Sequence, residues 1–134
     1  MPRRGASLGW PGRAGISGSR GRRHTVIKVI VLLSRRSDMT REDFDRYLRE
    51  THLPMVVRMP GLRGLVLNWV LPDPNGPVPA YDAVAEDLFD DAQAMGAAFA
   101  SPEGKAVVED APNLFDMSRF ALLVTEEEHI PLPT

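Results

Sequence analysis

Thr25-Val-Ile-Lys-Val-Ile-Val-Leu-Leu-Ser34 is short, rich in β-branched residues and almost continuously apolar. Such a run reads as a central strand covered on both faces, because a surface strand would alternate apolar with polar residues. Downstream of it, Asp38 and Thr40 offer N-cap oxygens, and Asp43 follows Thr40 at the spacing of an acidic first turn. The spacing then predicts a helix over Arg41 to Arg58, with Phe44, Tyr47, Leu48, Thr51 and Met55 as its inner stripe and Arg46, Arg49 and Glu50 beside it. Pro54 lies inside this helix, so a kink or restart is expected just after His52, and Pro60-Gly61 ends it.

Leu62 to Leu71 reads as a second strand, and Pro72-Asp-Pro-Asn-Gly-Pro-Val-Pro79 as a rigid turn whose four prolines cannot join a ladder. Tyr81 to Phe89 is the third strand. Asp90 or Asp91 caps an Ala-rich helix through Ala100, and Ser101-Pro102-Glu103 starts another with proline in its first turn. Arg119 to Thr125 supplies the last strand. The resulting order is β-α-β-β-α-β, an α+β, ferredoxin-like arrangement: a four-stranded antiparallel sheet with its helices on one face. Leu65, Val66, Leu67, Trp69, Val70 and Leu71 are apolar on both strand parities. The sheet face away from the helices therefore needs cover, which predicts a homodimer whose sheets close a barrel.

The charge is split along the chain. The 134 residues hold 16 Lys+Arg and 18 Asp+Glu, yet Met1 to His24 carry six arginines and no acid, and the acids all fall in the body. Six of the eleven glycines also fall there, with no apolar period, so 1–24 is expected to be a disordered Arg/Gly-rich extension ahead of a domain spanning 25–130. A nucleic-acid arm lacks the aromatic ladder that stacks bases, a transit peptide lacks an amphipathic helix, and an over-long start assignment needs neither. Residues 131–134 read as a C-terminal tail. The chain has no cysteine, which excludes a disulfide framework and thiolate-ligated metal, and suits a cytoplasmic protein. The longest apolar run, Val29 to Leu33, is too short to cross a bilayer, and neither membrane nor nucleic acid is expected as a partner.

Several segments together resemble the EthD family of dimeric α/β-barrel proteins. They are Ile27-Lys-Val-Ile-Val-Leu-Leu, Thr40-Arg-Glu-Asp-Phe-Asp-Arg-Tyr-Leu-Arg-Glu-Thr-His-Leu-Pro54, Pro60-Gly-Leu-Arg with Asn68, Tyr81-Asp-Ala-Val-Ala-Glu-Asp-Leu-Phe-Asp90 and Ser101-Pro-Glu-Gly104. The His-x-Pro ending the first helix and the Ser-Pro-Glu-Gly are the most specific. The resemblance implies a dimeric barrel around a small apolar organic ligand, aromatic or polyketide-like. It also implies acid/base or cofactor-free oxidative chemistry; the family is grouped with oxidoreductases, and the fold is shared by monooxygenases, isomerases, cyclases and dehydratases. A non-catalytic ligand-binding or accessory protein with the same barrel is the alternative. The chain departs from the family at Asp87 and Leu88, where the family has an apolar residue and an aromatic.

His52 is the leading catalytic candidate, expected at the edge of the helix stripe where it stays hydrated enough to titrate near neutral pH. Strand alternation places Asp82, Val84, Glu86 and Leu88 on one face and Tyr81 and Phe89 on the other, and Phe89 leads into the helices. Glu86 is thus expected in the barrel interior as a partner for His52, with Asp82 and Leu88 beside it as ligand contacts. Asn68 and Tyr47 are further ligand-binding candidates. His24, His52 and His129 lie far apart with no paired ligand spacing, so no metal is expected. No phosphate loop or dinucleotide fingerprint is present, nothing in the chain beyond a lone histidine points to a porphyrin, and no cofactor is expected.

Overall fold

Burial alternates strictly along the first strand, β1 (Ile27–Leu33): the odd residues are buried and Lys28, Ile30 and Leu32 half-buried. The computed structural model describes residues 26–134, so the expectations for 1–24 lie outside the described residues. Its strands β1, β2 (Gly64–Trp69), β3 (Ala83–Phe89) and β4 (Ala121–Glu126) form one antiparallel sheet in the order β2-β3-β1-β4. This is the predicted topology, with β1 in the interior of the sheet. β2 falls inside the expected Leu62 to Leu71, and β3 starts later than the expected Tyr81, where Asp82 accepts a hydrogen bond from the Arg35 N–H and donates its own N–H to the Leu33 carbonyl, closing the sheet end before Ala83.

One face of the sheet carries all the helices. Val29, Val31, Leu33, Ala83, Ala85 and Phe89 point into the core there, against Phe44, Leu48, Leu114 and Phe115. The other face is uncovered in the protomer. Cover on both faces of β1, as its continuous hydrophobicity suggested, is therefore not provided by one copy of the chain.

The first helix, α1, changes pitch midway. Arg41–Tyr47 is α-helical, Leu48–His52 is π-helical and Leu53–Val56 is α-helical again, with the Leu53 N–H bonded to the Leu48 carbonyl. An unbroken α-helix that buries Phe44 and Leu48 would next bury Thr51 and Met55, the predicted stripe. The i→i−5 turn inserts one extra residue, and the inner face becomes Phe44, Leu48, His52 and Val56, with Thr51 exposed. Pro54, which has no N–H to give to a preceding turn, lies just beyond the wide turn, so the expected kink is realised as a π segment. Thr40 caps the helix by accepting from the Asp43 N–H, and Gly61, at φ 83°, turns the chain away where other residues would be strained.

The second crossover is two helices, α2 (Ala92–Ala100) and α3 (Pro102–Asp110), joined at Ser101. The Ser101 hydroxyl donates to the Ala98 carbonyl at 2.5 Å and accepts from the Gly104 N–H at 3.0 Å, ending one helix and capping the next. Gly104 packs so tightly on this corner that a Cβ would overlap the Ala98 carbonyl and the Phe99 backbone. The Ser-Pro-Glu-Gly run is thus the geometry of a sharp helix–helix corner. A 3₁₀ turn, Ala111–Asn113, follows α3 and leads to Phe115.

Candidate active site

The π turn rotates His52 inward until it is 5% exposed, rather than leaving it hydrated at the edge of the stripe. Its Nδ1 lies 2.8 Å from Oδ2 of Asp110, the last residue of α3. The edge of its ring meets Phe115 at 5.2 Å between centroids and 85° between planes. The Asp110 Oδ1 accepts from the Tyr47 hydroxyl at 2.6 Å and from the Asn113 amide at 3.0 Å. Burial by itself would raise the Asp110 carboxyl, but the hydrogen bonds from Tyr47, His52 and Asn113 outweigh it and hold the group below the ordinary range. The Tyr47 hydroxyl is raised, first by its bond to Asp110 and then by burial. An anionic Asp110 fixes the Nδ1–H tautomer, orients the ring and balances the positive charge His52 takes on when Nε2 accepts a proton.

His52 forms part of the wall of a pocket of about 230 Å³ between the sheet and the helices. Its floor is Val31, Leu33, Leu65, Leu67 and Ala85; the helices contribute Leu48, Val56, Phe99 and Val107. Val108, Met117 and Leu122, each about half exposed, stand where it opens to solvent. A 150 Å³ apolar cavity holds a benzene ring, so this one has room for a one- or two-ring molecule. The cavity lies inside a protomer, not between two facing sheets as the barrel reading implied.

Besides His52, the one ionisable side chain among the described residues lining the pocket is Asp87. It is 6% exposed, its strand neighbours on either side are Val29 and Leu65, and no hydrogen-bond donor reaches its carboxyl among the described residues. Burial pushes it up to about 6.

The other residues expected at the site lie elsewhere. Glu86 sits on the uncovered sheet face, paired with Lys28 at 3.0 Å and accepting from the Asn68 amide at 2.9 Å. Its bond from Lys28, followed by that from Asn68, holds it below the usual carboxylate range. The parity argument for Glu86 thus holds, but that face is the opposite side of the sheet from His52. Leu88 shares it, across from Gly64 and Lys28. Asp82 closes the sheet end, with Arg41 at 3.7 Å. Tyr47 alone joins His52, through Asp110. Two site residues escaped sequence reasoning. Asp110 had a signal: an acid in the last turn of a helix opposes the helix dipole and needs partners to stay there. Asp87 had one in the parity that sent Phe89 to the helices. Among the described residues no three His, Asp or Glu side chains gather as a metal site would require.

Comparison with known proteins fits this architecture. The model of the EthD domain matches residues 36–118, a span that includes His52, Asp87 and Asp110. The chain belongs to the EthD family. An uncharacterised 11.0 kDa protein from the thcB–thcC intergenic region of Rhodococcus erythropolis is 31% identical over 87 residues, 65% of this chain and 82% of that protein. The crystal structure of an ethyl tert-butyl ether D (EthD) family protein from Bacillus halodurans superposes with a TM-score of 0.68 at 28% identity, covering 77% of this chain and 99% of that one. A hydroxynitrile lyase from Passiflora edulis shares the fold at 13% identity, with a TM-score of 0.65 over 81% of this chain and all of that protein. No helix among the described residues of this EthD protein is long and apolar enough to cross a membrane.

Proposed function

We propose that this EthD protein is a homodimeric small-molecule enzyme in which His52 moves a proton on an apolar ligand held in the pocket, without a tightly bound cofactor. The observation that carries the reading is the 2.8 Å contact of His52 Nδ1 with Asp110 at the wall of an otherwise apolar cavity. With Nδ1 committed to the carboxylate, Nε2 is the ring nitrogen left for a ligand. The pocket holds the acidic C–H or O–H of that ligand beside the imidazole, and orientation supplies much of the acceleration. Chemistry with oxygen belongs to the same reading where the deprotonated ligand is itself the reductant.

Dimerisation is part of the proposal. The uncovered face presents Ile30, Leu32, Val66, Val84, Leu88 and Leu123, with Val66, Glu86, Ile30 and Leu123 forming one row across the four strands. Val66 is 45% and Leu123 50% exposed in the protomer. A contiguous apolar sheet of this kind marks an interaction surface, and the Lys28–Glu86–Asn68 network on it is already internally paired, which lowers the cost of covering it.

The test uses a panel of ring-bearing ketones in deuterium oxide, read by mass spectrometry. The native protein is expected to exchange the protons next to the carbonyl at least ~10-fold faster than His52→Ala. Equal rates, with ligand still bound, would take His52 out of the chemistry and leave a binding protein, the reading that the nearly unbroken apolar lining favours.

A further inference from the structure

A carboxyl group inside an apolar cavity needs a partner, and the described residues offer Asp87 none. Its carboxyl is buried at the pocket floor, flanked on the sheet by Val29 and Leu65, and the helix side chains lining the same pocket, such as Val56, Phe99 and Val107, are apolar. The titratable group that shares the pocket is His52, whose Nδ1 is already engaged by Asp110. Lys28 and Glu86, the nearest charged residues along the strands, point to the other sheet face. A buried polar group left unpaired is costly, so it is retained at a ligand site where the ligand completes it.

We infer that Asp87 selects the ligand: its carboxylic acid donates a hydrogen bond to an uncharged oxygen acceptor, of the ketone, ester or ether type, on an otherwise apolar molecule. The inference rests on the proposed small-molecule function and adds a substrate class to it. A ligand cation is the other partner a buried carboxyl can take, and it needs the ionised form; burial raises Asp87 to about 6, so below that pH the carboxyl keeps its proton and acts as a donor.

The probes are 1-indanone and indane, which have the same two-ring frame with and without a carbonyl, and the measurement is calorimetric binding at pH 5 and pH 8. Native protein is expected to bind the ketone about tenfold more tightly than the hydrocarbon at pH 5, with the preference shrinking below about threefold at pH 8 as Asp87 ionises. Asp87→Leu should bind both equally at either pH. Asp87→Asn, whose amide donates at all pH values, should keep the preference at both, and it decides the question where the leucine variant does not fold. A preference that survives Asp87→Leu, or is missing in the native protein at pH 5, overturns the inference. His52→Ala should retain the preference. Ketone selectivity that follows Asp87 while proton exchange ignores His52 would defeat the proposed chemistry and spare this inference; the converse result would do the reverse.

Discussion

His52 Nδ1 and Asp110 Oδ2, 58 residues apart in sequence, meet at 2.8 Å because a π turn in α1 rotates the histidine inward to where α3 ends. Asp110 is held by three donors, so its loss reaches beyond the histidine. Asp110→Ala is expected to strand Tyr47 and His52 without their acceptor and to cost about 2–3 kcal/mol of stability, read by urea unfolding. Asp110→Asn should fold better, yet lower turnover by about 10²-fold, because an amide cannot balance the charge on a protonated ring. The folded carboxyl lies below its ordinary value of 3.8, so its contribution is present above that pH and is lost as pH falls through the lowered value. A variant as stable and active as the native chain would show the contact to be incidental.

Asp87 runs in the opposite direction. Burial raises its folded value from 3.8 to about 6, so the folded state holds the proton more tightly than the unfolded one. Its stabilising effect is complete below 3.8 and is lost as pH rises through 6. Relative to Asp87→Asn, the native protein should therefore lose ~3 kcal/mol of stability between pH 3.5 and pH 8, measured as the difference between two denaturation series. Parallel pH profiles for the two proteins would contradict the burial of an unpaired carboxyl.

Much of this fold was legible in the chain because it rests on local rules. The Thr40 and Ser101 caps, the prolines between β2 and β3 and the alternation of β3 each state their element in a few residues. The inner face of α1 was not legible beyond Leu48, since a period of 3.6 carries the eye to Thr51 and Met55, and only the wide turn before Pro54 moves the face to His52 and Val56. Alternation placed Glu86 and Phe89 on opposite sides of the sheet correctly. It could not say which side holds the cavity, because that depends on how far α2 and α3 stand off the floor. Asp87 and Asp110 are the cost of that gap.

Gly104 has a role that its position inside α3 hides. Helix interiors disfavour glycine, but here a Cβ would run into the backbone at Ala98 and Phe99, which cannot swing aside as a side-chain end can. Gly104→Ala is expected to lose about 3 kcal/mol despite the better helix propensity of alanine, read as a lower urea midpoint with an unchanged slope. Because Phe99 lines the pocket, indane affinity should drop with it. A neutral or stabilising substitution would mean that the corner between the two helices yields.

Leu123 and Val66 lie at the two ends of the row across the uncovered face, joined by Ile30 and Glu86. If this face closes against a second copy, a charge placed there is buried in the dimer and hydrated in the monomer, so its effect falls on association and spares the protomer fold. Sedimentation velocity at micromolar concentration should give a dimer for the native chain and a monomer for Leu123→Glu or Val66→Glu, with far-ultraviolet circular dichroism unchanged. Each substitution replaces apolar burial with an unpaired interfacial carboxylate, and a weakening of at least ~100-fold in the dimer dissociation constant is expected. Glu86→Gln should weaken it less, since Lys28 keeps Glu127 at 3.2 Å as a second carboxylate partner. A native chain that sediments as a monomer would instead require this face to be covered by a different protein.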